Sequence, residues 1–491
     1  MLSAVLVLSV LALSLLIAQF LKLQWVGRRF PPGPTPLPFL GNLWTLNFRI
    51  DRDNLIELAK PYGNIYTVWL GQTPIVVING YEAVRNSLTS HTDVFALRPG
   101  MPYFQKIFGE NGIVFSNGHT WKQQRRFGLT TLRNLGLGKR SLEMRILEEA
   151  QHLVKFFAVQ EGKPTDPYMS VVNSVSNVIC AVVFGHRFST DDKLFLRLIK
   201  SVNLVTRFPG TTWGWIYDVF SPLMPLLPGP HKKVFGCWEE VRSFVREEIK
   251  LHRERRVAGD PPEDLIDYFQ DEITKTKNDP TSVFYENSLI TVGLEFFLAG
   301  IDTTSTSLLW ALLYMVEYPD VQEKVQKELD AVLEPSEIIC YEDRKRLPYT
   351  NAVIHEVQRY ASILTGVGRQ SLKDTSFQGF FIPKGTIIFG NLTSALYDPE
   401  HWETPRQFNP SHFLDKEGKF VNKEAFMPFS AGHRVCLGEQ LARTELFMFF
   451  TSLLRAFTFH LPRNEEKKIS SDYVLGTTVH PLPYQICAVP R

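Results

Sequence analysis

The hydrophobic pattern opens with its longest unbroken block. Positions 2–21 are apolar except for Ser3, Ser9, Ser14 and Gln19, and a helix of about 20 such residues spans a bilayer. A cleavable leader would carry basic residues ahead of the block; here Lys22, Arg28 and Arg29 come after it. By the positive-inside rule the amino end crosses the membrane and the body stays cytosolic. Residues 1–23 therefore read as an uncleaved anchor. Residues 24–40 include the run P-P-G-P-T-P-L-P from position 31, where proline density favours extended polyproline over helix. They read as a stiff hinge leading to a body at 41–491. In that body, two apolar runs, 65–70 and 74–78, joined through Gly71, predict a β-hairpin. Most later runs have helical periodicity, so the expected class is mainly α with a small sheet.

Three further stretches refine this. Residues 288–316 are long and apolar enough to suggest a second span. Glu295, Asp302 and the hydroxyl cluster Thr303 to Ser307 oppose that, because charge in lipid is costly. A helix through the protein core fits better, and a threonine in it can bond back to a carbonyl one turn earlier and bend it. Residues 207–230 mix aromatics with prolines, Pro222, Pro225, Pro228 and Pro230 among them, and exclude a single regular helix. This stretch is either internal core or, near Trp213 to Leu227, an apolar loop touching the membrane. Residues 247–279 are charged and read as a solvated helix and loop.

Composition excludes little except nucleic acid: 53 basic against 51 acidic residues give a net charge of +2, with no basic excess for phosphate backbones. Five separated cysteines form no C-x-x-C pair and no disulfide framework, which suits a reducing compartment. Asn391 begins a glycosylation sequon that a cytosolic body would leave unused.

The chemistry concentrates at positions 429–438, F-S-A-G-H-R-V-C-L-G. Gly432 and Gly438 bracket Cys436, and a helix-forming run follows. Amides of such a loop and of the helix start can stabilise a thiolate. A buried, unreactive thiol is the competing reading. Trp121 and Arg125 lie one helical turn apart and can donate to one acid, with Arg98 as a third contact. Glu356 and Arg359 are an i,i+3 pair in apolar surroundings, which a buried pair would need to share with a further partner such as His412.

In order, these motifs are anchor, proline hinge, W-x-x-x-R, A-G-x-D-T-T, E-x-x-R and F-x-x-G-x-x-x-C-x-G. The set resembles a microsomal cytochrome P-450 along the whole chain, and positions 347–359 and 424–450 resemble vertebrate family 2 and its J subfamily. The resemblance implies the cytochrome P-450 fold, a large helical haem domain with a small β-rich subdomain. It implies a membrane-bound monooxygenase of the endoplasmic reticulum that hydroxylates or epoxidises lipophilic substrates, polyunsaturated fatty acids and xenobiotics among them. A haem-thiolate isomerase needing no reductase and a non-enzymatic haem sensor remain as alternatives.

Carried over by position, Cys436 is the axial ligand of haem iron. Arg98, Trp121, Arg125, Arg369 and Arg434 hold the propionates. Asp302 and Thr303 form a proton relay, and Glu356, Arg359 and His412 brace the ligand side. Phe108, Val114, Phe115, Phe297, Ala299, Val367 and Leu475 are the expected substrate wall. Leu364 and Gly368 stand where the J subfamily commonly has prolines, which leaves the substrate open. Nothing resembles a flavin or nicotinamide site, so electrons would come from an NADPH–cytochrome P-450 reductase, with a microsomal b-type cytochrome as a second donor. Lys122, Arg125, Arg126, Arg133, Lys139, Arg140, His433, Arg434 and Arg443 would form the docking face.

Overall fold

A computed structural model describes residues 2–257, 259–462 and 472–491. The N-terminal helix, Leu2–Gly27, exposes its apolar side chains over most of its length and meets the body at its end, where Leu23 is buried and Gly27 lies beside Trp69. The proline-rich run after it is extended, as its composition requires, yet it is docked and not free. The Thr67 amide donates to Pro32 O at 2.9 Å. Gly33 lies so close to the strand that a Cβ there would meet the Thr67 carbonyl oxygen. Asn42 closes the segment, donating to Pro34 O and Thr35 O and accepting from the Trp69 amide. The expected hinge is thus pinned along the edge of the sheet.

That sheet has four strands in the order Ile65–Leu70, Thr73–Ile78, Ile387–Asn391, Gly366–Gln370. The first pair is the expected hairpin, and the third strand joins parallel to the second. Helices make up most of the remainder and share one large apolar core. Through that core runs the central helix, Glu286–Glu317. Its most apolar window is 78% buried in protein, which answers the membrane-span question in favour of a core helix.

The stretch from 207 to 230 breaks as its prolines dictate, into a 3-10 turn Phe208–Gly210, the helix Thr212–Val219 and a second turn Met224–Leu226. Its side chains divide between core and surface. Phe208, Tyr217 and Met224 are buried, while Trp213, Leu223, Leu226 and Leu227 are exposed. The charged stretch keeps one apolar face: the helix Leu265–Lys275 buries Leu265, Ile266 and Phe269. Asn391 is wholly buried, caps the next helix by accepting from the Ser394 amide and donates to Asn79, so its sequon is inaccessible.

Candidate active site

Cys436 lies between a short 3-10 turn, Gly432–Arg434, and the helix Glu439–Ala456. Gly432 has φ +74°, and a Cβ there would strike the Leu88 carbonyl oxygen; only glycine lets the loop pass this backbone. The Cys436 amide donates to Phe429 O at 3.0 Å, closing the loop. Burial pushes the Cys436 thiol up, while the Gly438 and Glu439 amides and Arg125 pull against it. Of the five cysteines, Cys436 alone lines the cavity between this loop and the central helix.

The cavity measures about 340 Å³. Its polar end is made by Arg98, Trp121, Arg125 and Arg434, with Arg369 buried behind them. Arg98 donates to Gly368 O at 3.0 Å, Arg125 to Val435 O at 2.8 Å, and Arg434 to Ser116 O and Asn117 Oδ1 at 2.9 and 3.0 Å. The Arg434 guanidinium also lies 4.2 Å over the Trp121 ring. These bonds do not exhaust the donors: Arg98 Nε, Arg369 Nη2 and Arg434 Nη1 are buried without an acceptor. Burial, reinforced by the cations' mutual repulsion, holds Arg98, Arg369 and Arg434 below the usual guanidinium range. Buried cations need compensation, so this end is built for a ligand carrying anionic oxygens. An apolar cavity with cations at one end and a thiol facing it fits a haem, whose two propionates would take the free N–H groups.

Opposite Cys436, the central helix presents Glu295, Phe296, Ala299, Gly300, Thr303 and Thr304 to the cavity, an i, i+3, i+4, i+7 stripe. Thr303 Oγ1 donates to Ala299 O at 2.7 Å, the one-turn back-bond expected of it. Two expectations are corrected by the same geometry. Each residue turns a helix by about 100°, and Phe297 and Asp302 fall off the stripe. Phe297 is fully buried between Phe184 and Phe244, and Phe296 holds the wall in its place. Asp302 turns its carboxylate away, toward Thr206, Thr478 and His480.

Val114, Ala299 and Val367 line the cavity as expected, with Ile363 and Leu364 beside them. Phe108 and Phe115 are not cavity-lining residues; they stack on each other, centroids 5.1 Å apart, with Phe104 against Phe115 at 4.8 Å. Leu475 does not line the cavity either; its backbone carbonyl lies against Gly210. On the ligand side, Arg359 and Glu356 make a bidentate pair at 2.7 Å, both wholly buried, and His412 Nδ1 lies 3.2 Å from Glu356. Of the expected docking face, Lys122, Arg126, Arg133, Lys139, Arg140 and His433 are exposed. Arg434 faces inward instead, and Arg443 pairs with Glu439 at 2.9 Å.

Two carboxyls were not singled out for the site by sequence reasoning. Glu295 accepts from the Ile113 and Val114 amides at 2.5 and 3.1 Å, tying the loop 112–115 to the central helix, and burial raises its carboxyl to about 7. Glu445 is buried beside Thr304, and burial raises it to about 8. Both are charged residues inside apolar helical runs, the one signal that pointed to them.

The cytochrome P450 family model matches residues 31–488. The chain is similar to human Cytochrome P450 2J2, 46% identical over 480 residues covering 97% of this chain and 94% of that protein. It is also similar to mouse Cytochrome P450 2J5, 44% identical over 94% of this chain and 92% of that protein, and to mouse Cytochrome P450 2F2, 41% identical over 94% of each. With an inward thiol, a set of unsatisfied buried cations and this full-length similarity, the chain belongs to the cytochrome P450 family of haem-thiolate monooxygenases.

Proposed function

We propose that Cys436 is the axial thiolate of the haem, that Arg98, Trp121, Arg125, Arg369 and Arg434 hold its propionates, and that the substrates include long polyunsaturated fatty acids. The observation that carries the first part is the set of three buried, acceptor-less guanidinium N–H groups at one end of the cavity that Cys436 faces. The family's haem supplies the oxidising chemistry, fed by electrons from an NADPH-dependent reductase. The chain's residues do the rest. Cys436 anchors and donates charge, and its loop amides set that charge. The apolar wall of Val114, Phe296, Ala299, Leu364 and Val367 excludes water and takes up an acyl chain by burial at roughly 25 cal/mol per Å². Thr303, whose hydroxyl lines the cavity wall, would hold or pass a proton there.

The resemblance to the J subfamily supports fatty-acid epoxidation and hydroxylation over other lipophilic chemistry. The wall offers little fixed polarity, so several regioisomers are expected. Residues 1–23 act as a single membrane span with the body on the cytosolic side of the endoplasmic reticulum. The exposed cations Lys122, Arg126, Arg133, Lys139, Arg140 and His433 dock the reductase and, in competition, a b-type cytochrome.

The test combines spectrum and turnover. The reduced carbon-monoxide complex should show the red-shifted Soret band of thiolate ligation, and Cys436→Ala should abolish it; a variant that keeps the band overturns the ligand assignment. With reductase, NADPH and arachidonate, the wild type should yield epoxides and hydroxides. An active preparation that leaves arachidonate untouched overturns the substrate and leaves the chemistry. Thr303→Ala should keep substrate binding and lower product per NADPH several-fold, with hydrogen peroxide making up the difference.

A further inference from the structure

Two cations on the helix Lys193–Arg207 lack a counter-charge. Lys200 and Arg207 are seven residues apart, two helical turns, and so share a face. On the same helix Arg197 reaches Glu240 at 3.9 Å. Among the described residues, neither Lys200 nor Arg207 has a carboxylate oxygen within 4.0 Å. Arg207 Nε is buried without an acceptor. The Arg207 guanidinium lies 5.6 Å from the centre of the Tyr168 ring, but burial raises that phenol to about 12, so it stays neutral. An unmet N–H on a buried guanidinium is a cost that an anionic ligand removes.

Both cations line a second pocket of about 350 Å³, a size within the range of small-molecule sites, roughly 300–1,000 Å³. It shares no lining residue with the haem cavity. Asp166, Lys200 and Pro483 in its lining are exposed, so the pocket reaches the surface. Met169, Ile199, Leu309, Leu482 and Tyr484 make much of the remaining wall apolar. That wall is formed before any ligand arrives. Tyr484 donates to Leu309 O at 2.6 Å and Trp310 Nε1 to Val479 O at 2.8 Å, which ties the C-terminal segment to the central helix. Asp166 is the one carboxylate in the lining, and its Oδ1 is taken by the Tyr168 amide at 2.8 Å.

We propose that this pocket binds an amphiphilic monoanion, a carboxylic acid on an aliphatic or aryl-alkyl chain. The carboxylate lies on Arg207 and Lys200, and the chain lies on the apolar wall. Charge selects the head group. Two cations less one carboxylate leave a single positive charge in the lining; a monoanion neutralises it, whereas a phosphate monoester brings excess negative charge beside Asp166. The guanidinium supplies a charge-assisted hydrogen bond to the carboxylate from its free Nε–H. The wall selects the tail, because an inorganic anion would leave that apolar surface against water. A preformed wall lowers the ordering cost of binding. The site is distinct from the haem cavity and does not depend on which substrate that cavity takes.

The test uses the full-length haem protein with its haem cavity filled by an azole that ligates the iron, so that only sites outside that cavity remain. The probe is decanoic acid carrying a diazirine on its chain, with the matching diazirine alcohol as the uncharged control. After irradiation, peptide mass spectrometry should place the acid's label at Met169, at Leu309 or within residues 481–484, and the alcohol should label these positions several-fold less. Arg207→Gln together with Lys200→Gln should cut the acid's labelling there about tenfold or more, the loss expected for charge-assisted hydrogen bonds. Lys200→Gln alone, at an exposed position that the fold tolerates, should cut it several-fold, and Asp166→Asn should raise it because a competing negative charge is gone. The carbon-monoxide spectrum checks that each variant is folded. Equilibrium dialysis of decanoate under the same conditions should lose one site per chain in the double variant. Labelling confined to the haem cavity and abolished by the azole overturns the proposal. Equal labelling by acid and alcohol, or labelling indifferent to all three charge substitutions, also overturns it, since the pocket would then be an apolar surface and not an anion site.

Discussion

Glu295 shows how a single buried carboxyl can set a property of the whole protein. Between its unfolded value of 4.5 and its folded value of about 7, the folded chain holds a proton that the unfolded chain releases. Stability from this group is therefore full below about pH 4.5 and falls as pH rises to about 7, by roughly 3 kcal/mol at 1.36 kcal/mol per unit. Glu295→Gln should remove that slope, as read from denaturation midpoints across the range, and weaken the hold on the loop 112–115 because one acceptor is lost. A slope equal to wild type would refute the assignment. In the sequence this residue argued only against a membrane span. Cys436 was legible as a ligand because glycines, a following helix and Arg434 all lie within a few residues of it. Glu295 was not, since its partners Ile113 and Val114 are some 180 positions away.

On the scale of elements, the central helix was legible as a core element, but its facing was legible only in part. The stripe from Glu295 through Thr303 was written in the sequence at helical spacing; Phe297 and Asp302 were assigned by likeness to a motif, and a rotation of one residue moved both out of the cavity. The E-x-x-R pair went the other way. An i,i+3 pair is common on surfaces, yet here both members are wholly buried and tied to other elements. Arg359 donates to Leu396 O, Pro405 O and Gln407 O, and Glu356 accepts from the Asn409 amide. Glu356→Ala leaves a buried guanidinium without its counter-charge, a loss of about 3–5 kcal/mol. Purified variant should hold less haem per chain and unfold at lower denaturant; a loss under about 1 kcal/mol would mean that the carbonyls alone support Arg359.

At the scale of the molecule, the sequence separated an anchor, a hinge and a body, and the structure joins the last two. The run from Pro31 to Asn42 is bonded to the sheet edge. A Cβ at Gly71 would touch both Val219 and the Phe39 carbonyl, so the segment after the anchor and the end of the helix Thr212–Val219 lie side by side. Large apolar residues are exposed in the first, Leu37, Phe39 and Trp44, and just after the second, Leu223, Leu226 and Leu227, with Leu226 80% exposed. Sequence patterning could not show this, because the two segments are far apart in the chain and each alone is a short irregular run. Exposed apolar residues on both segments are what a body in contact with the bilayer would present. Deleting residues 1–27 should then leave a protein that still floats with phosphatidylcholine vesicles. Adding Leu223→Ser, Leu226→Ser and Leu227→Ser should weaken that residual binding by about a hundredfold or more, each leucine contributing on the order of 1–2 kcal/mol. None of these three side chains lines the haem cavity, so the carbon-monoxide spectrum should not change. Equal flotation of the truncated protein with and without the three substitutions would remove these leucines from the membrane contact and leave the N-terminal helix as the sole attachment.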